Sequence, residues 1–176
     1  MKISNAVKLN LKQTYTSKNS GIRQHFISDI VKNNNLTLGA EIGVRFGQTM
    51  FYILDENPQL KMFAIDKDIN QFIGKSLLFK DRMFIHQVDS RISPDFVEDK
   101  SLDFFFIDAS HTYKNVMQDI ITWIPKLKNN GWMMGHDINY PSVEKAVTDT
   151  IRKYEVGPDN VWFYKKDEEY TGIIKL

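Results

Sequence analysis

The chain has no cysteine in 176 residues, which excludes a disulfide framework, a thiolate metal site and a cysteine nucleophile. No apolar run approaches the roughly 20 residues that a membrane span needs, and no signal-peptide hydrophobic core opens the sequence. A cytoplasmic protein without membrane contact is therefore expected. Net charge is almost missing as well. With 23 basic and 22 acidic side chains the balance is +1, so there is no basic field of the kind that nucleic acid selects. A small polar or neutral substrate fits that balance better. Acidic residues are absent from residues 1–28, which hold Lys2, Lys8, Lys12, Lys18 and Arg23. Three readings of this basic opening stand side by side: a solvated leader whose Ile3, Val7 and Leu11 dock as a weak amphipathic stripe, a flap over an anionic substrate, or a transit segment. Its shortage of arginine disfavours the last.

What is present alternates in period. Ile22, Phe26, Ile27, Ile30 and Val31 give residues 21–34 one apolar helical face. Strands are expected over residues 36–43, 60–66, 83–88, 102–108 and 132–136, with helices over 48–56, 69–79, 113–127 and 142–154 between them. Residues 102–108, LDFFFID, are the most apolar run and read as a central strand buried on both faces. Asn129-Asn130-Gly131 reads as the cap that closes the helix before the fifth strand, and residues 161–164 and 170–174 read as an antiparallel hairpin. Strands and helices in this order require right-handed crossovers and a parallel sheet covered on both faces, an α/β fold. A chain of this length buries about two-thirds of its unfolded surface in one core.

The first strand leads into LGAEIGVRFGQT, a strand end, a glycine turn and a helix start. Gly43 and Gly47 can adopt positive φ and carry no Cβ to stand between backbone and ligand. They either cradle a small molecule at the carboxyl end of the sheet or only make the turn. A nicotinamide site is disfavoured, because its G-x-G-x-x-G pattern is replaced here by Arg45 and Phe46 between the glycines. Five carboxylates, Glu41, Asp66, Asp89, Asp108 and Asp137, fall at or just past strand ends and should share one edge. Such charges repel unless a cation, hydroxyls or amides satisfy them, although each alone also suits a cap or turn. His111 and His136 join that edge. His25 and His86 do not, since one lies on the first helix and the other inside the third strand.

From Leu36 onward the residues resemble the class I S-adenosylmethionine-dependent methyltransferases. AEIGVRFGQT resembles that family's first motif in its E-x-G-x-x-x-G form, FAIDKD its second, VDS its third and LDFFFIDASHTYKNVMQDI its fourth. NNGWMMGHDINYPSVEKAV is similar to the next strand and helix of sugar-modifying O-methyltransferases such as the rhamnosyl and macrocin enzymes. The resemblance implies a Rossmann-like, doubly wound, seven-stranded, mostly parallel sheet with a C-terminal antiparallel hairpin, formed by residues 21–176 after a basic segment at 1–20.

It also implies that S-adenosylmethionine binds at Glu41, Gly43, Val44, Gly47, Gln48 and Thr49. Asp66, Lys67, Asp89, Ser90 and Asp108 complete that set, with Asp66 accepting both ribose hydroxyls and Asp89 near the adenine amine. The implied reaction is methyl transfer to a hydroxyl oxygen of a small molecule, a sugar or related metabolite, with His111 as general base and Asp108 beside it. Asp108 and Asp137 could also hold Mg²⁺, although Ile138 stands where metal-dependent relatives carry an acid or amide. No inserted substrate domain is visible. The acceptor pocket therefore falls to the N-terminal segment, short loops or a second subunit, and Trp162, Phe163, Tyr164 and Tyr170 could anchor a homodimer. A non-catalytic S-adenosylmethionine-binding scaffold or regulatory subunit is the alternative to an enzyme.

Overall fold

In a computed structural model that describes residues 21–92, 94–151 and 153–167, the two periods of the sequence resolve into a βα alternation. Helix α1 (Ile22–Asn33) precedes β1 (Leu38–Ile42), α2 (Gln48–Glu56), β2 (Lys61–Asp66), the short α3 (Ile73–Ser76) and β3 (Met83–Gln87). Then come β4 (Leu102–Ile107), α4 (Tyr113–Trp123), β5 (Leu127–Gly135), α5 (Pro141–Thr150), β6 (Glu155–Val156) and β7 (Trp162–Lys165). These strands form one sheet in the order β3-β2-β1-β4-β5-β7-β6. The first five run parallel, and β7 is antiparallel to both β5 and β6. The order reverses between β1 and β4, so the carboxyl ends of those strands leave a crevice where ligands of such sheets bind.

Strand β4 is central, as its apolarity predicts. Because side chains alternate across a strand, Phe104 and Phe106 enter the core shared with Ile27, Val31, Phe51 and Leu54. Phe105 and Ile107 enter the opposite core with Val116, Ile120, Trp123, Val143 and Val147. Helices α1 and α2 thus cover one face, and α4 and α5 the other. Arg82 holds the end of α2 by donating to the carbonyl oxygens of Leu54, Asn57 and Leu60, which satisfies acceptors that a helix terminus leaves open.

Several boundaries differ from expectation for physical reasons. Helix α4 stops at Trp123 and tightens into a 3₁₀ turn over Ile124–Lys126, because Pro125 has no N–H to continue the ladder. Asn129-Asn130-Gly131 is accordingly no helix cap. It is an excursion inside β5, whose pairing with β4 jumps from Leu102↔Leu127 to Phe104↔Trp132. Asn130 takes φ +62° there, and its N–H bonds the Lys166 carbonyl at 2.7 Å. The helix expected over 69–79 shrinks to α3 and a 3₁₀ turn over Leu77–Phe79.

The antiparallel pair exists, but among the described residues its members are β6 and β7. Residues 155–156, expected to lie between the last helix and the break at Gly157-Pro158, supply the strand, and residues 170–174 and Tyr170 lie outside the described residues, as does the basic opening at 1–20. Trp162 is 1% exposed and packs over Gly135, where any Cβ would overlap its ring. Phe163 rests against Phe26 and Trp132. Trp162 is therefore a core residue, which removes it as the interface anchor that its aromatic neighbourhood suggested. Among the described residues no helix is long and apolar enough to cross a membrane.

Candidate active site

The backbone between β1 and α2 is wound into left-handed conformation three times, at Gly43 (φ +88°), Arg45 (φ +50°) and Gly47 (φ +74°). The glycines are required by the protein itself. A Cβ on Gly43 would come within 2.5 Å of the Asp108 carbonyl oxygen, and one on Gly47 would overlap the Phe51 ring. Of the two readings the sequence left open, the turn accounts for both glycines through close packing of this loop on β4 and α2, and Gly43 also borders both clefts described next. Asp66 ties the loop down from β2. Its Oδ2 accepts the N–H of Val44 at 2.8 Å and of Arg45 at 2.7 Å, and its Oδ1 accepts the N–H of Asp68 at 2.9 Å.

Two adjoining clefts open at this edge. One is lined by Asp66, Lys67, Asp89, Ser90, Arg91 and Asp119 among others, and the second by Arg23, Glu41, Gln48, Thr49, His111 and Asp137 among others. Gly43, Arg45, Asp108 and Ala109 border both. All five strand-end carboxylates therefore converge on one continuous groove, and His111 and His136 reach it too. Val44 lines the second cleft, while Gly47 lines neither.

Within the first cleft Asp89 is fully engaged. Its Oδ1 accepts Arg91 N at 3.1 Å and Nε at 2.9 Å, and its Oδ2 meets Arg91 Nη2 at 2.6 Å and Lys67 Nζ at 2.9 Å. Those two cations hold the Asp89 carboxyl well below the usual carboxylate range. Asp119, on α4, is 1% exposed and accepts the Ser90 hydroxyl at 2.7 Å. Burial pushes its carboxyl up to about 6.

The second cleft contains a buried acceptor that lacks a donor. Glu41 is 2% exposed, and its Oε2 has no hydrogen-bond partner among the described residues. Burial first, and then the Asp108 charge, raises its carboxyl well above the ordinary value. An unpaired buried acceptor is costly to leave in place, and here it faces a groove in which a cationic or N–H ligand group could meet it.

Beside it, the His111 Nε2 lies 2.6 Å from Asp137 Oδ2, and its ring stacks on Tyr140 with centroids 5.0 Å apart and planes 6° from parallel. Asp137 holds φ +61°, a left-handed conformation that aspartate tolerates better than most residues. His136 Nδ1 lies 3.0 Å from both Arg23 Nη1 and Asp137 Oδ1. Arg23 Nη1 is also 3.3 Å from Asp108 Oδ2, so one guanidinium from α1 sits over the carboxylate at the end of β4. Burial raises the Asp108 carboxyl, and Arg23 followed by His136 opposes that rise. Asp108, His111 and Asp137 each offer an atom within 4.8 Å of the others, a donor set able to hold a cation.

Three participants were not legible as such. Arg23 counted as one more charge of the basic opening, because nothing local distinguishes an arginine that reaches across the sheet to a residue 85 positions later in sequence (108 − 23). Arg91 carries no motif, and Asp119 lies near the end of the LDFFFIDASHTYKNVMQDI segment, where nothing singles it out as a ligand-facing carboxylate. His25 and His86 stay outside the groove, as expected, the first bonded to the Tyr52 hydroxyl at 2.7 Å and the second stacked on Phe96.

A family profile described as a methyltransferase domain matches residues 40–138, more than half of the chain. The chain belongs to that methyltransferase family. Solved structures agree on the fold. A methyltransferase from Geobacter sulfurreducens superposes with a TM-score of 0.70 at 12% identity, over 94% of this chain and 91% of that one. A Podospora anserina methyltransferase solved with S-adenosylhomocysteine bound gives 0.68 at 13% identity, over 94% and 89%. A S-adenosylmethionine-dependent O-methyltransferase from Thermotoga maritima gives 0.63 at 16% identity, over 89% and 71%. No curated protein matches the sequence. The fold is that of the S-adenosylmethionine-dependent methyltransferases.

Proposed function

We propose that the chain transfers a methyl group from S-adenosylmethionine to a hydroxyl oxygen of a small molecule, a sugar or related metabolite. The observation that carries this reading is the His111–Asp137 pair at 2.6 Å, standing beside Asp108 where the two clefts meet. The orphaned Glu41 Oε2 fits a cofactor that carries an ammonium group, and the cleft beyond Asp66 and Ser90 is left for its nucleoside. When bound, this cofactor supplies an electrophilic methyl group on a sulfonium centre.

An alcohol is a weak nucleophile at neutral pH and gains from a base within hydrogen-bond reach. With its Nε2 proton donated to Asp137, His111 presents Nδ1 as the free lone pair. That nitrogen takes the hydroxyl proton while the alcohol oxygen forms its new bond to carbon, and the electron pair of the broken carbon–sulfur bond stays on sulfur. Asp137 stabilises the resulting imidazolium, and Tyr140 holds the ring plane. Asp108 and Asp137 are the residues that would hold a divalent ion, the chemistry of two hard carboxylate oxygens suiting Mg²⁺; such an ion would lower the pKa of the acceptor hydroxyl. Arg23 stands at the same carboxylate and would have to yield to it.

The test is incubation of the protein with trideuteromethyl-labelled cofactor and a small-metabolite extract, read by mass spectrometry. The expected result is a labelled methyl ether that is lost in His111→Ala. Binding of the cofactor without any labelled product would instead favour the non-catalytic scaffold.

A further inference from the structure

We propose that Asp119, and not Asp89, reads the amino group of the cofactor's adenine; this rests on the cofactor reading above. An ionised carboxylate offers about four lone-pair sites. Asp89 has four donors already in place, three from Arg91 and one from Lys67. No acceptor capacity is left for a ligand unless that cluster comes apart. Asn115 is committed too, its Oδ1 to Arg91 and its Nδ2 to Ser110.

Asp119 differs on every count. It lines the same cleft, is 1% exposed, and accepts one hydrogen bond, from the Ser90 hydroxyl to Oδ1. No cation forms an ion pair with it among the described residues, for Arg91 and Lys67 both turn to Asp89. A carboxylate this deeply buried with spare lone pairs is stabilised by a donor that arrives with the ligand. The exocyclic amine of adenine is such a donor. Ser90 fixes the carboxylate orientation, and Trp123 fixes Ser90 by donating its indole N–H to the Ser90 carbonyl at 2.9 Å. Burial raises the Asp119 carboxyl, which its single hydrogen bond from Ser90 only partly opposes.

The probe is S-inosylhomocysteine, in which the amine is replaced by a carbonyl oxygen, compared with S-adenosylhomocysteine by calorimetry. A site built to bond an amine rejects the analogue lacking it, because its buried acceptor then faces an oxygen. Wild-type protein should bind the adenosyl compound at least tenfold tighter. Asp119→Asn, whose amide can donate to the carbonyl, should lose that discrimination, whereas Asp89→Asn should change both affinities alike and keep the ratio. Wild type and Asp89→Asn decide the matter even if Asp119→Asn does not fold. Loss of the ratio in Asp89→Asn, or equal binding of both compounds by wild type, overturns this inference and leaves the cofactor reading intact. No binding of S-adenosylhomocysteine by wild type overturns both.

Discussion

Asp66 and Val44 are joined by a 2.8 Å hydrogen bond from the Val44 N–H to the carboxylate at the end of β2. With the neighbouring bonds from Arg45 and Asp68, it makes one side chain responsible both for the shape of the glycine loop and for the cleft wall, where one of a carboxylate's about four lone-pair sites is left for a ribose hydroxyl and the pair of hydroxyls expected from the sequence is too many. Asp66→Ala should therefore weaken S-adenosylhomocysteine binding by about 1.5–3 kcal/mol, the usual worth of hydrogen bonds to a charged group. It should also lower thermal stability without ligand. Calorimetry and a melting curve check both, and unchanged affinity would remove Asp66 from the binding set.

Glu41 sets a trade-off between stability and binding. Its carboxyl is raised by burial, so the folded state holds that proton more tightly than the unfolded one. The associated stability is present at low pH and is lost as pH rises through the folded value. Glu41→Gln removes this penalty. The variant should melt higher than wild type at pH 7.5 and bind S-adenosylhomocysteine at least tenfold more weakly. A variant that melts lower and binds normally would make Glu41 a purely structural residue.

Asp119 gives a second pH signature with a definite window. Its folded value of about 6 lies above the ordinary 3.8, a difference of about two pH units and so about 3 kcal/mol. That stability is complete below pH 4 and is lost by about pH 6, in a setting where Asp89, Arg91 and Lys67 are the charged neighbours. Asp119→Asn should be more stable than wild type at pH 8, with the gap closing near pH 4. Equal destabilisation of the variant at both pH values would contradict this.

Gly43 is tied to the chemistry of its position. Alanine there must hold φ +88° and press on the Asp108 carbonyl, which should cost about 2–4 kcal/mol in urea denaturation. A loss under 1 kcal/mol would show that the loop relaxes freely.

The fold was legible because its signals are local. The LDFFFID run placed the central strand, and the helix expected over 142–154 is present as Pro141–Thr150, with Val143, Ala146 and Val147 on its buried face. The strand ends followed from carboxylates that close each apolar run. Pairings that depend on distant partners were not legible. Residues 155–156 are too short and polar to read as a strand, and only the antiparallel neighbour β7 makes them one. Pro125 and the bulge after it were hidden by an Asn-Asn-Gly sequence that suits a helix cap equally well. In the groove Arg23 was not legible, since its place comes from contacts between α1 and residues just past the ends of β4 and β5, Asp108 and His136, and not from its neighbours in sequence.

His111 should lose methyl transfer by about 10²–10⁴-fold on mutation to alanine, the usual contribution of a positioned base. Activity that survives exhaustive EDTA treatment in wild type would rule out a metal at Asp108 and Asp137. Full activity in His111→Ala would remove the base.

Titration of wild-type protein with S-adenosylhomocysteine in a calorimeter tests the central claim most directly. Saturable binding at one site per chain, weakened by Glu41→Gln and by Asp66→Ala, is the predicted result. No heat of binding at millimolar ligand, from protein shown to be folded, would contradict it.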